Sequence, residues 1–332
     1  MTRLVAFGQA LIRRPLAWPE ATRALAAGAD AVFCNLEGCL PPPGATRMKT
    51  KTVHPAPPEA LAALWDLGVT HLSIANNHVW DYGHAGIVAT RDAAEAAGFA
   101  VAGAGRDAAE AGGPATRGGV ALIAADCGPT PDWAIAGEAP GVNPLAVRRR
   151  LVLPPEDLAR LAAIARASGE AERVARRIAV GYDPPVDGPR FYGLALAPGD
   201  GPREEHAVDE ADLARLAATI AAARRDADRV LVSLHHHHWA PDWARPPDWL
   251  AEVSRRLLAL GADVVAAHGP PLAYGLVSAG DGGGVAALGL GNLAFQTARA
   301  ERYADAGLDV WTGAALVVDN AGSRLASVAV AR

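Results

Sequence analysis

Seven short apolar runs, at 4–8, 31–36, 71–76, 120–126, 229–235, 263–268 and 285–290, alternate along the chain with stretches in helical spacing. Apolar runs this short read as strands, and strands separated by helical segments build a sheet with crossover connections. Leu250, Val253, Leu257 and Leu260 recur at intervals of three and four, with Pro246-Pro247 ahead of them and Gly261 behind. That is a helix opened by proline and closed by glycine. Pro55, Pro57 and Pro58 predict another helix, ending near Leu67 before Gly68. Asn320-Ala321-Gly322 divides 313–332 into the two strands of a hairpin. The expected class is α/β, a single domain over 1–332. From about 128 to 209 the pattern changes to turn clusters around one strong helix at 155–178, which reads as an insertion into the sheet fold. No internal repeat interrupts this scheme.

Charge narrows the partners. With 31 basic and 36 acidic residues the net charge is −5, which argues against broad electrostatic binding of nucleic acid. No run approaches the roughly 20 apolar residues of a membrane span. The first apolar run is broken by Gly8-Gln9 and followed by Arg13-Arg14, so it reads as a strand and not as a signal segment. Cys34, Cys39 and Cys127 are too few and too scattered for a disulfide framework. A cytoplasmic protein without a membrane or nucleic-acid partner is expected.

Polar residues gather where the predicted strands end, which is where open α/β sheets place their sites. Asn35 and Glu37 follow the second strand, and Asn76, Asn77, His78 and Asp81 the third. The run His235 to His238, with Trp239, closes another strand, and His268-Gly269-Pro270-Pro271 a further one. Imidazole, carboxylate and amide oxygen together suit a borderline divalent ion such as zinc, manganese or iron. Strand alternation sends His235 and His237 to one face, His236 and His238 to the other. Lys49 and Lys51 are the chain's two lysines, in a polar segment just after Glu37. They read either as a solvated loop or as two ammonium groups for an anionic substrate. Trp239, Trp243 and Trp249 either pack beside a long loop or stack on substrate. Cys34 and Cys39 read as small buried residues.

These residues carry a resemblance. The ordered motifs Asn-Leu-Glu (35–37), Ala-Asn-Asn-His-x-x-Asp-x-Gly (75–83), Gly-Ala-Gly (103–105), Ser-Leu-His-x-His (233–237), Gly-Ala-Asp-Val-Val-x-x-His-Gly-Pro (261–270) and Leu-Gly-Asn-x-x-Phe-Gln (290–296) resemble the CapA-like proteins. That family is named for capsule and poly-γ-glutamate synthesis and belongs to the calcineurin-like metallophosphoesterase superfamily. The resemblance implies two packed mixed sheets flanked by helices, an αββα sandwich, with a metal site at the strand ends. It implies Glu37 as the bridging carboxylate, Asn77 as an amide ligand and His235 as a histidine ligand, with His268 in the last ligand loop. His78 would stand next to the reacting group, oriented by Asp81.

Two departures accompany the resemblance. The family begins its site with Gly-Asp where this chain has Gly8-Gln9, and ends it with Pro-His where this chain has Pro270-Pro271. Both missing ligands serve one ion, so a reduced, one-ion site is expected. The ion would be held by Glu37, Asn77, His235 and a histidine of the 237/268 pair, with His268 taken as the ligand. Gln9, as a hydrogen-bond donor, and Asn35, Lys49, Lys51, His237 and Trp239 would meet a small or oligomeric anionic substrate. The reaction expected is hydrolysis of a phosphoester or of an amide in an acidic, polyglutamate-like substrate. Two alternatives stand beside it: an acid–base enzyme without metal, such as a peptide epimerase, and a non-enzymatic factor for capsule or polyglutamate assembly.

Overall fold

Leu4–Leu11 is buried at every position, and the larger sheet is built around it. In the computed structural model, which describes residues 2–49, 52–185, 187–278 and 283–332, it pairs in parallel with Ala31–Leu36 and antiparallel with Thr312–Asp319. The sheet continues through His71–Ser73 to Ala100–Ala102 on one side and ends at Gly322–Ala329 on the other. Asn292–Phe295 joins Leu4–Leu11 in parallel at its far end, at the register shift between Gln9 and Ala10. The second sheet runs Leu276–Ser278, Val285–Ala287, Val264–His268, Arg229–His235, Val120–Asp126, Ala115–Arg117. Its four middle strands are mutually parallel.

Successive side chains on a strand face opposite ways, and each sheet uses both faces. Leu4, Ala6 and Phe33 of the first sheet share one apolar cluster with Leu122, Ala124, Leu231, Val264 and Ala266 of the second. The alternate residues Val5, Phe7, Val32 and Cys34 join Leu61, Leu64 and Ile87, which come from the helices Glu59–Leu67 and Gly83–Ala96. Helices Glu210–Ala223 and Asp248–Ala259 pack on strands of the second sheet. Phe33 is fully buried between the sheets; its truncation to alanine costs about 3–5 kcal/mol. The order of layers is therefore helix, sheet, sheet, helix, and strands buried on both faces explain the unbroken apolar runs.

The chain divides into two compact units, Met1–Ala146 with Glu210–Arg332, and Val147–Asp209. The second unit has a sheet of its own, ordered Arg190–Phe191, Leu194–Pro198, Val147–Leu153, Arg203–Val208. The single helix expected at 155–178 is two helices, Pro155–Ala167 and Glu170–Ala179. Gly169 sits between them at φ +73°, a left-handed turn that ends one helix and starts the next. Among the described residues no helix is long and apolar enough to cross a membrane. Cys34, Cys39 and Cys127 are buried and free.

Candidate metal centre

The polar residues at the strand ends converge because the backbones there touch. A Cβ on Gly8 would lie 2.0 Å from the Gly291 carbonyl oxygen. One on Gly269, at φ +125°, would lie 1.9 Å from that of His236. Only glycine allows either approach. Gln9, next to this seam, is buried and donates from Nε2 to Gly269 O (3.0 Å) and to Asn292 Oδ1 (3.2 Å). Both amide hydrogens are thereby used and Oε1 has no partner. The expected donor is thus corrected: what Gln9 leaves unpaired is an acceptor.

His235 ends its strand opposite Asp126 on one side and His268 on the other. One ligand atom each from Glu37, His235 and His237 lies within 4.8 Å of the other two. Asn77 Oδ1 stands 3.1 Å from His235 Nε2, and His237 Nε2 stands 3.2 Å from the same atom. His237, expected at the substrate, therefore belongs to this cluster. His268, expected as a ligand, has both ring nitrogens engaged: Nδ1 with His235 Nδ1 at 3.0 Å and Nε2 with Ser233 Oγ at 2.8 Å. The alternation read from the sequence holds, since His236 and His238 turn away to pack edge-on against Trp249.

The chemistry of the donors fits a cation. Glu37 is 5 % exposed, and among the described residues nothing donates a hydrogen bond to its carboxylate. Burial pushes its pKa up to about 8, against the opposing pull of Lys49. His235 is held well below the usual imidazole range by burial and by the neighbouring histidines, and His237 is pushed down to about 3 by burial. Neutral imidazoles are the ligating form of histidine, and a cation bound beside Glu37 would displace its proton and supply the positive charge that its buried carboxylate lacks.

Beside the cluster, Asn76 ties the next loop down. Its Oδ1 accepts from the backbone N–H groups of His78 and Val79, and its Nδ2 donates to Leu36 O at 2.8 Å. The turn thus connects His78 to the strand that precedes Glu37. Asn35 lies fully buried beneath, accepting from Asn76, with its own Nδ2 unpaired. His78 Nδ1 lies 2.9 Å from Asp81 Oδ2. The same oxygen accepts from the His54 backbone N–H, and the His54 ring lies 4.0 Å, centre to centre, from that of His78. Lys49 Nζ reaches Asp81 Oδ1 at 2.8 Å, the Asn77 carbonyl and the face of Trp80. Burial lowers the pKa of His78, with Asp81 opposing. Asp81 is held below the carboxylate range by His78 and Lys49 in spite of its burial. Lys51 lies outside the described residues.

A cleft of about 270 Å³ opens over these groups, lined among others by Gln9, Glu37, His54, His78, His237 and Trp239. Trp239 stacks on Trp243 at 4.1 Å and 24°. Sequence reasoning missed His54, which comes from a loop with no periodic pattern, and Arg299 and Tyr303, which line the cleft from the chain's far end. It also missed Asp126, whose buried carboxylate accepts from Thr130 Oγ and Gly128 N. That turn carries the Gly128 carbonyl on which the His237 N–H is anchored. A larger cavity of about 430 Å³ lies within the second unit, among Val174, Ile178 and Tyr192, away from these groups in sequence and chemistry.

Two facing sheets with a buried Glu/His cluster at their strand ends define a mixed α/β protein with a candidate metal centre. The chain matches the family model described as bacterial capsule synthesis protein PGA_cap over residues 12–297. It belongs to that CapA-like family. No curated protein sequence matches it.

Proposed function

We propose that this chain is a metal-dependent hydrolase on a calcineurin-like metallophosphoesterase fold, acting in capsule synthesis on a phosphoester or an amide of an acidic, polyglutamate-like substrate. One observation carries the reading: the convergence of Glu37, His235 and His237 within 4.8 Å, with the Asn77 amide oxygen beside them. These four residues would hold a single divalent ion, zinc, manganese or iron by their chemistry. Such an ion supplies Lewis acidity and makes hydroxide available near neutral pH.

The protein groups do the rest. His78 is neutral at pH 7 and donates Nδ1–H to Asp81, which leaves its Nε2 lone pair for the cleft. It accepts a proton from the attacking water and returns it to the leaving group. Asp81 holds that tautomer, with its charge balanced by Lys49. Gln9, whose Nε2 holds Gly269 O and Asn292 Oδ1, forms part of the cleft wall. The test is elemental analysis of untagged protein purified without chelators, paired with hydrolysis of chromogenic phosphoesters and glutamyl amides before and after metal removal. One ion per chain with metal-dependent turnover supports the reading. Turnover that survives complete metal removal transfers it to acid–base chemistry by the histidines.

A further inference from the structure

Behind the candidate centre, three buried side chains form a line. Ser233 Oγ meets His268 Nε2 at 2.8 Å, and His268 Nδ1 meets His235 Nδ1 at 3.0 Å. Each of the three residues is 0 % exposed. The register explains the meeting. Ser233 and His235 are two apart on one strand and share a face, and His268 is the partner of His235 on the next strand. We propose that His268 and Ser233 are positioning residues for the metal, a role that rests on the metal-dependent reading above. They hold His235 with its hydrogen on Nδ1 and its Nε2 lone pair turned to Glu37, Asn77 and His237.

Two ring nitrogens 3.0 Å apart share one hydrogen, so the line has two polarities. In one, Ser233 donates to His268 Nε2 and His268 Nδ1–H donates to His235. His235 then carries its hydrogen on Nε2, donates to Asn77 Oδ1 and has no lone pair to give. In the other, His235 Nδ1–H donates to His268 Nδ1, and His268 Nε2–H donates to Ser233 Oγ. His235 Nε2 is then a ligand. Both polarities carry the same number of protons on the three residues. A cation selects the second because Nε2, Asn77 Oδ1 and His237 Nε2 then converge as lone pairs. The serine hydroxyl serves either polarity, since it both donates and accepts.

The test uses the full chain stripped of metal, titrated with zinc ion alone, with histidine tautomers read by nitrogen-15 NMR. In the zinc-loaded protein, His235 is expected protonated on Nδ1 and His268 on Nε2. His268→Leu is expected to weaken zinc binding ten- to a hundredfold, roughly the scale for groups that orient a metal ligand. Ser233→Ala is expected to weaken it about tenfold, and His268→Gln, which keeps an acceptor, to retain more affinity than His268→Leu. Zinc-loaded protein with His268 protonated on Nδ1 overturns the role, as does a folded His268→Leu variant that binds zinc like the parent. Should His268→Leu not fold, the tautomer measurement and Ser233→Ala decide. A parent chain that binds no zinc overturns the metal reading and this role together, whereas intact affinity in the variants beside a binding parent overturns this role alone.

Discussion

Lys49 Nζ lies 2.8 Å from Asp81 Oδ1, while Asp81 Oδ2 holds His78 Nδ1 at 2.9 Å. One carboxylate thus joins the ammonium to the imidazole that faces the cleft. Lys49 also contacts the Asn77 carbonyl and the Trp80 ring, so its charge is spent within the protein. Lys49→Met is therefore expected to lower kcat by about tenfold or more and to leave KM within about twofold. A raised KM at unchanged kcat would assign Lys49 to the substrate.

His78 touches Asp81 and the cleft but lies outside the Glu37, His235 and His237 cluster. His78→Ala is expected to keep its metal and to lose at least about a hundredfold in turnover, the scale of a general acid–base group. Loss of metal from this variant would make His78 a ligand.

Gln9 brings no anionic oxygen, and Pro271 no imidazole, to the lining of the cleft. At most one tightly bound divalent ion per chain is expected, lost in His235→Ala and weakened in His237→Ala. Two ions per chain by elemental analysis, or two anomalous peaks about 3.5 Å apart, would sink the one-ion site.

The metal-free protein should be most stable between mildly acidic and neutral pH. Glu37, raised from 4.5 to about 8, keeps in the fold a proton that the unfolded chain has released. Stability therefore falls as pH rises through that window, by an amount on the order of a few kcal/mol. His268, lowered from 6.5 to about 3, stays neutral in the fold while the unfolded chain takes up protons, so stability also falls as pH drops through that window. Urea unfolding at pH 5, 7 and 9 checks both arms. Glu37→Gln should flatten the alkaline one, and a midpoint that rises from pH 7 to 9 in the parent would refute the assignment.

Much of the frame was legible because its strands are buried on both faces. The runs at 31–36, 120–126 and 229–235 coincide with Ala31–Leu36, Val120–Asp126 and Arg229–His235. The sheet in 147–209 was not legible, since Val147–Leu153 exposes Arg148, Arg149 and Arg150 and pairs them with acidic residues across strands, as in Arg150–Glu205. Such a strand lacks the apolar run that marks the others. Glu37, Asn77 and His235 could be named from their motifs. Which histidine of the 237/268 pair joins the cluster was not legible, because it depends on which nitrogen meets which across neighbouring strands. The tie between His54 and His78 escaped for a similar reason, being made by a loop brought back from a distance of 24 residues in sequence.

At Gly8, within strand Leu4–Leu11, and at Gly269, just past strand Val264–His268, the backbone beside the candidate centre rests directly on other backbones, with no side chain as spacer. The spacing between those segments is set by peptide geometry. Gln9, one residue beyond Gly8, adds a side-chain tie to that frame by donating to Gly269 O and Asn292 Oδ1.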